Sequence, residues 1–277
     1  MARTINKLVY ITGGSSGIGL ETARLLASRG CSVVLFARGR EGLETACADV
    51  RANAASPSQR VDALPMDVGD DSDVREKIKR AVDRFGAPDI LINSAGIGTG
   101  DYFENITFDR FDRAMKTNVY GTRNVISALL PSMKLKGGGH IVNISSVAGL
   151  IGMFGYTLYC ATKYAIVGMS ECLRSELKRH NIAVTVVCPP EVVTRFVEEE
   201  AKTMPPESRA VKNLAGLLEP RDVARAIVKA IRRKRFLVIP GLSAKFLIFL
   251  HRISNGLLTR RPSDLVVSLT AWRAGKR

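Results

Sequence analysis

The sequence has 277 residues, of which 46% are hydrophobic, and a formal net charge of +15. This length and this apolar share suit one large α/β domain, or two small ones, with a sizeable core. No apolar run reaches the ~18 residues that a membrane-spanning helix needs, which excludes such a helix, and without a signal-peptide pattern we expect a cytoplasmic protein.

Short apolar segments rich in β-branched residues alternate with longer amphipathic segments. The predicted strands are KLVYIT, SVVLFA, VDALPMD, ILINSAG, HIVNIS, AVTVVC and FLVIP, and the predicted helices cover 17–29, 40–53, 71–85, 107–136, 157–180 and 220–233. Continuous apolar strands that each lead into a helix predict a doubly wound parallel sheet of about seven strands. We expect one domain over 1–240, with a substrate loop at 189–218, followed by a basic extension at 241–277.

A glycine-rich turn, TGGSSGIG, joins the first predicted strand to the first predicted helix. Glycines let the backbone approach a pyrophosphate closely, and a helix N-terminus offers it unpaired N–H groups. The turn therefore predicts a dinucleotide site. Its candidate residues are Thr12, Gly13, Ser15, Ser16, Gly17, Ile18 and Gly19.

The next three strands end in further candidates for this site. Arg38 follows the second strand, and 35–40 contains no acidic residue of the kind that binds a ribose 2′-hydroxyl. A guanidinium complements a 2′-phosphate, so NADP(H) is predicted, the alternative being an exposed loop arginine. After the third strand, Asp67 and Val68 are candidates for the adenine end. After the fourth, Asn93, Ala95 and Gly96 are small residues where the cofactor passes close to the backbone.

A serine, a tyrosine and a lysine carry the predicted chemistry. Tyr159 and Lys163 stand at i and i+4 of a predicted helix and share a face, while Ser146 ends a strand. An ammonium beside a phenol favours the phenolate, so Tyr159 is predicted to exchange a proton with an alcohol oxygen that Ser146 holds. The alternative is an ordinary pair on a helix surface.

The five cysteines form no C-x-x-C pair, so reduced thiols are expected and no metal site. Cys160 is interpreted as a small buried hydrophobe.

The excess of positive charge lies at the C-terminal end. Residues 209–277 contain 16 Lys and Arg against three acidic residues. The segment AKFLIFLHRISNGLLTRR is predicted to form an amphipathic helix, with R232-R-K-R235 attracting anionic lipid. The open alternative is that its apolar face packs on the sheet, over the substrate cleft or across a subunit contact. Nucleic acid is disfavoured because no reading motif or stacking aromatics accompany the charge.

In order and spacing, these motifs from Lys7 to about Pro240 resemble the short-chain dehydrogenase/reductase family. The resemblance implies a three-layer Rossmann fold and hydride transfer between a nicotinamide and a carbonyl or alcohol carbon. It implies that Asn118 holds a water that passes protons to Lys163, that Lys163 also binds the nicotinamide ribose, and that Val192 and Thr194 contact the carboxamide. It further implies homodimers or homotetramers formed through 121–136 and 157–180.

One departure from the family pattern narrows the resemblance. CPPEVVT has Pro190 where the family has glycine, which predicts a different path for the following loop. Together with FGYTLYCATKYAI, the acidic run EEE and KTMPPES, it resembles the 3-ketodihydrosphingosine reductases, which implies NADPH-dependent reduction of a sphingoid ketone at the cytosolic face of a membrane. The expected function is thus interconversion of a lipid-like ketone and alcohol. The alternatives are a hydroxysteroid, retinoid or ketoacyl thioester substrate, or a non-catalytic NADP-binding scaffold or sensor.

Overall fold

A computed structural model of the chain describes residues 6–98, 100–194, 203–212 and 216–273. Its strands are β1 (Leu8–Thr12), β2 (Ser32–Ala37), β3 (Val61–Pro65), β4 (Ile90–Asn93), β5 (Gly139–Ile144), β6 (Ile182–Val187), β7 (Glu191–Val192), β8 (Leu217–Leu218) and β9 (Leu237–Val238). Within these residues, seven parallel strands form one sheet in the order β3-β2-β1-β4-β5-β6-β9, and β7 pairs with β8. The predicted doubly wound parallel sheet is confirmed.

Helices connect the successive strands, and the last two helices follow β9. The helices are α1 (Gly17–Ala27), α2 (Arg40–Ala52), α3 (Asp71–Phe85), α4 (Phe108–Ala114), α5 (Gly121–Lys136), α6 (Thr157–Glu176), α7 (Pro206–Lys212), α8 (Pro220–Arg233), α9 (Leu242–Ile253) and α10 (Leu257–Arg273). The helix predicted over 107–136 is present from Phe108 to Lys136, but a π-helical segment, Met115–Tyr120, which was not predicted, separates α4 from α5. Hydrophobic periodicity does not register one wide turn inside a helix.

Two apolar cores cover the two faces of the sheet. Along β1, Val9 and Ile11 pack towards α1, α2 and α8, whereas Tyr10 packs towards α3 and α5. Successive strand side chains point to opposite faces, so a strand covered on both sides is apolar at every position. This explains the unbroken apolar runs of the sequence.

The strand order reverses between β1 and β4, which are neighbours in the sheet. In open parallel sheets of this kind the chain leaves β1 and β4 in opposite directions and opens a crevice at their carboxyl ends. The glycine turn after β1 and the small residues after β4 both lie there. The fold thus brings the predicted cofactor residues to one edge.

The C-terminal helices lie at the same edge as this crevice. In α9, Ala244 and Ile248 are buried against Val147 and Ile151 from the loop after β5. Phe246 and Phe249 on the same helix remain 62% and 57% exposed. The segment predicted as one amphipathic helix thus forms two helices, α9 and α10; one face of α9 packs on the domain, and another carries exposed apolar side chains.

The basic run at the C-terminal end of α8 lies elsewhere. Arg232, Arg233 and Lys234 line a groove with Lys7 and Lys136 at the amino ends of the strands, opposite the crevice. Among the described helices, none is both long enough and apolar enough to cross a bilayer. The predicted substrate loop 189–218 is described except for 195–202 and 213–215, and its acidic run EEE lies outside the described residues.

Candidate active site

The glycine turn is held against the loop that follows β4. The buried Thr12 hydroxyl accepts hydrogen bonds from the backbone N–H groups of Ser94 and Ala95, at 3.2 and 3.3 Å. Thr12 therefore joins two loops and does not line the cleft between them. Ala95 and Gly96 do line it.

Three glycines stand where the backbone lies too close to other protein atoms to allow an unstrained side chain. Gly13 has φ +65°, and a Cβ there would lie 2.7 Å from the Ala95 nitrogen. Gly17 has φ +53°, and a Cβ would lie 3.1 Å from the Thr194 methyl group. A Cβ on Gly19 would overlap the Gly13 carbonyl oxygen. Because these positions favour glycine, the backbone folds into a tight turn at the start of α1, which we call the glycine cradle.

The first turn of α1 faces this cradle. Ser16 is the N-cap residue, and its side chain makes no capping hydrogen bond. Ser16, Gly17 and Ile18 line the cleft. Their end of the helix presents uncapped N–H groups and the positive end of the helix dipole, which suit a pyrophosphate.

The remaining predicted cofactor residues lie around the cradle rather than in the cleft lining. Arg38 is exposed directly after β2, and it forms no ion pair within the described part of the chain. Asp67 is exposed, and its carboxylate accepts a hydrogen bond from the Gly69 N–H at 2.9 Å. Val68 is buried. Ser15 and Gly19 belong to the turn itself.

Asn93 joins β4 to β5 instead of facing the cleft. Its side-chain amide donates to Asn143 Oδ1 at 2.9 Å, and Asn143 donates in turn to the Ser170 hydroxyl at 2.9 Å. These three side chains are buried. The chain of amides couples two strands and α6 beneath the cleft, and it leaves Asn93 Oδ1 with no hydrogen-bond partner among the described residues.

The structure brings Ser146, Tyr159 and Lys163 into one cleft. Ser146 follows β5, where its hydroxyl accepts from the Ala148 N–H at 3.1 Å and donates to the Pro189 carbonyl at 3.4 Å. Tyr159 and Lys163 lie one turn apart on α6, with Lys163 Nζ 5.5 Å from the centroid of the Tyr159 ring. The i, i+4 spacing thus places the ammonium beside the phenol.

Lys163 is a buried cation. Its Nζ donates to the Ile144 carbonyl at 3.1 Å, at the end of β5. Burial lowers the pKa of Lys163 to about 8, although the nearby Cys188 thiol opposes the shift. At neutral pH the side chain still carries its charge. The cleft therefore contains a fixed positive charge at the phenol.

Asn118 lies in the π-helical segment and clamps the loop after β4. Its Oδ1 accepts from the Ile97 N–H at 2.8 Å, while its amide donates to the Ile97 carbonyl at 2.9 Å and to Thr162 Oγ1 at 3.0 Å. A Cβ built on Gly96 would lie 3.1 Å from Asn118 Oδ1 and 3.7 Å from Lys163 Nζ. Asn118 and Lys163 are therefore neighbours across Gly96.

Sequence reasoning missed the side chains on the far side of the catalytic groups. Met153 and Tyr156 line the cleft, and the Tyr156 ring lies 6.0 Å from the Tyr159 ring, edge to face. The Tyr156 hydroxyl donates to the Met204 sulfur at 3.7 Å. The i, i+3 spacing of the two tyrosines was an available signal. Met204 is remote in sequence from the two tyrosines, and no sequence pattern indicated this contact.

The segment after β6 closes the cleft from the other side. Pro190, Glu191, Val192 and Thr194 all line it, and β7 holds Val192 opposite Leu218. The Pro189 carbonyl accepts from the Val147 N–H at 2.9 Å, which ties this segment to the loop of Ser146.

The described cysteines are unpaired, which confirms the predicted free thiols. Cys160 is buried as predicted, and burial raises the pKa of its thiol.

A family model described as short chain dehydrogenase matches residues 7–205. A curated 3-dehydrosphinganine reductase from Danio rerio is 38% identical over 222 residues, which are 80% of this chain and 67% of that protein.

Two solved structures share the fold. A short chain dehydrogenase/reductase from Burkholderia phymatum, in complex with NAD, has a TM-score of 0.80 and 26% identity, covering 91% of this chain and 95% of that one. L-Sorbose reductase from Gluconobacter frateurii, complexed with NADPH and L-sorbose, has a TM-score of 0.77 and 25% identity, covering 88% and 99%. One of these two structures thus contains NAD and the other NADPH.

Proposed function

The chain belongs to the short chain dehydrogenase family, and on that premise we propose that it uses NADP(H) to interconvert a ketone and a secondary alcohol on a lipid-like substrate, most specifically 3-ketosphinganine. The family makes it an oxidoreductase of CH–OH groups with a nicotinamide cofactor. One observation carries the proposal: Ser146, Tyr159 and Lys163 line the same cleft as the glycine cradle.

The residues of the cleft fit a dinucleotide. Gly13, Gly17 and Ile18 would hold the pyrophosphate, because they line the cleft, the two glycines expose their backbone there and α1 supplies uncapped N–H groups. Val192 and Thr194 would hold the nicotinamide end. When bound, the reduced cofactor supplies a hydride to the carbonyl carbon of the substrate.

The catalytic groups divide the remaining work. Ser146 donates a hydrogen bond to the carbonyl oxygen and orients it towards Tyr159. Tyr159 donates its phenolic proton to that oxygen as the carbonyl carbon is reduced, and the Lys163 ammonium stabilises the resulting phenolate. Asn118 lies beside Lys163 and would hold the water that returns a proton. In the oxidative direction each proton moves the opposite way.

Replacing Tyr159 by phenylalanine tests this assignment. We expect turnover to fall by at least about 100-fold, because general acid catalysis is lost, while cofactor affinity is unchanged. NADPH absorbance measures the first and fluorescence titration the second. Tyr164→Phe on the same helix, at a 45% exposed tyrosine, is the control. Unaltered turnover in Tyr159→Phe would remove the proposed role and favour a binding or sensor protein.

Arg38 supports the preference for NADP(H). It is exposed at the end of β2 without an ion-pair partner among the described residues, and no carboxylate in 35–40 could bind a 2′-hydroxyl. We expect Arg38→Ala to weaken NADPH binding by about tenfold or more and to leave NADH binding unchanged. Arg80→Ala, on α3 across the sheet, is the charge-matched control. Equal effects on both cofactors would contradict the assignment.

The lipid-like substrate rests on the Danio rerio relative's name and on the apolar side of the cleft. Val147, Ala148, Met153 and Val192 line the space next to the catalytic groups. Turnover of a panel of ketones of increasing chain length, followed by NADPH oxidation, tests it. Activity confined to short polar ketones would contradict the proposal.

We also propose that the extension 241–277 docks on an anionic membrane at the cytosolic face. Phe246 and Phe249 are exposed on α9, which also carries Lys245 and Arg252, and Trp272 is exposed on α10. An exposed apolar face bordered by cations suits a charged bilayer surface. Flotation with vesicles containing anionic lipid should carry the protein, and Phe246→Glu with Phe249→Glu should abolish it. Phe108→Glu, an exposed phenylalanine on α4, is the control, and equal flotation of all three proteins would refute the proposal.

A homodimer or homotetramer formed through α5 and α6 is part of the same proposal. Tyr164 is exposed on α6 between Ala161 and Gly168, whose small side chains would let a partner helix approach. Sedimentation equilibrium of the full chain, compared with Gly168→Glu, tests it. A monomer at all concentrations would contradict it.

A further inference from the structure

A second cavity lies beside the catalytic cleft, between the loop after β5 and the two C-terminal helices. Its empty volume, counted out to its open mouth, is about 810 Å³. Six apolar side chains line it, four from the loop and one from each helix: Val147, Ile151, Met153, Phe154, Leu247 and Val267. We call this cavity the side chamber.

The side chamber adjoins the site of reaction. Val147 and Met153 line both the chamber and the catalytic cleft. Val147 also follows Ser146 directly in the chain. Because a methionine side chain is unbranched and adaptable, Met153 separates the two spaces with a movable wall. A ligand held at Ser146 therefore has the chamber within its reach.

The walls of the chamber are fixed to the domain. Ala244 and Ile248 of α9 are buried against Val147 and Ile151, so the helix is anchored on the catalytic side of the sheet. His251 Nδ1 and Thr259 Oγ1 lie 2.7 Å apart and join α9 to α10. The cavity is thus preformed, and filling it needs no ordering of the helices.

The side chains that line the chamber determine which kind of ligand can bind there. The polar side chains at the chamber belong to α10, where Arg260 and Asp264 are exposed and lie one turn apart. The loop side and the contribution of α9 are apolar. The apolar side of this preformed space lowers the free energy of methylene groups that leave water, whereas the two charged residues of the lining, Arg260 and Asp264, are exposed.

We propose that the side chamber binds the hydrocarbon chain of a long-chain ketone whose carbonyl lies at Ser146 and Tyr159. The inference rests on the proposed function and assigns recognition of the chain to Leu247 of α9 and Val267 of α10. The polar end of the substrate then remains in the catalytic cleft.

A homologous series of ketones tests the chamber. In the wild-type protein, kcat/KM should rise by about fourfold for each added methylene until the chamber is filled. Val267→Trp narrows the chamber and should flatten this rise while short ketones keep their kcat/KM. Leu265→Trp, two residues away at a 60% exposed position of the same helix, should behave as wild type. If Val267→Trp lowers kcat/KM by the same factor for ketones of every chain length, or does not lower it at all, the inference is overturned.

Two further measurements separate this inference from the proposed function. Leu247→Trp narrows the chamber from α9 and should reproduce the effect if Val267→Trp fails to fold. Calorimetric binding of a long-chain secondary alcohol should weaken in both variants, with no need for turnover. If the wild-type protein binds the alcohol but reduces no ketone, the proposed function fails alone. If long ketones are reduced equally by all variants, the chamber assignment fails alone.

Discussion

Lys163 places an ammonium group in the interior, and its removal should stabilise the folded protein. Burial lowers the pKa of Lys163 to about 8, against an ordinary value of 10.5. At 1.36 kcal/mol for each pH unit, the charge costs about 3 kcal/mol of folding free energy at neutral pH. Lys163→Met removes this cost and also removes the hydrogen bond to the Ile144 carbonyl, worth about 1.5 kcal/mol. We expect a net gain of about 1.5 kcal/mol at pH 7.

The sign of the pH dependence follows from the same shift. Between about pH 8 and pH 10.5 the unfolded chain keeps the proton that folded Lys163 has lost, so the stability of the wild-type protein rises with pH in this window. Lys163→Met lacks this contribution. The free energy of unfolding of Lys163→Met should therefore exceed that of the wild-type protein by about 2 kcal/mol less at about pH 9.5 than at about pH 7.

Urea unfolding followed by far-UV circular dichroism measures both free energies. Fluorescence is a poorer reporter because the single tryptophan, Trp272, is 76% exposed on α10. Lys229→Met, at an exposed lysine of α8, is the matched control and should show no such change with pH. If the difference between Lys163→Met and wild type is the same at both pH values, the buried charge does not have the cost assigned to it.

Two other predictions follow from single contacts. Gly17→Ala adds a Cβ to a residue with φ +53°, and this Cβ lies 3.1 Å from Thr194. The dissociation constant of the cofactor, measured by calorimetry, should therefore rise by about tenfold. An unchanged dissociation constant would mean that the turn accommodates the methyl group without strain. For Asp89, burial alone would raise the pKa, but the Leu8 N–H and the ammonium of Lys136 bring it below its ordinary value. The stability it contributes is present above about pH 4 and is lost as pH falls through the folded pKa, so Asp89→Asn should lose about 1 kcal/mol at pH 7 and progressively less as pH falls below about 4, as urea unfolding would show.

Most of the fold was predictable because its signals are local. Strands covered on both faces need apolar residues at every position, and α1, α2 and α3 begin within a few residues of their predicted starts. The wide turn at Met115–Tyr120 was not predictable, because the apolar pattern of 107–136 is compatible with one continuous helix.

The proximity of Tyr159 and Lys163 was predictable for the same reason, whereas the surroundings of this pair were not. Tyr159 and Lys163 meet because they are four residues apart on one helix, a distance that the helix geometry determines. Tyr156 and Met204 meet across 48 residues, and their contact depends on how the segment after β6 packs.

The C-terminal segment divides in the same way. Its sequence predicts an apolar and basic helix but does not show which apolar residues pack against the domain. In the structure, Ala244 and Ile248 are buried, whereas Phe246 and Phe249 are exposed. The order of residues determined the helices, the strands and the chemistry within one turn of Tyr159. Only the tertiary structure shows that α9 and α10 line a chamber next to Ser146. Contacts between distant segments depend on the shape of the whole core, which no local sequence pattern encodes.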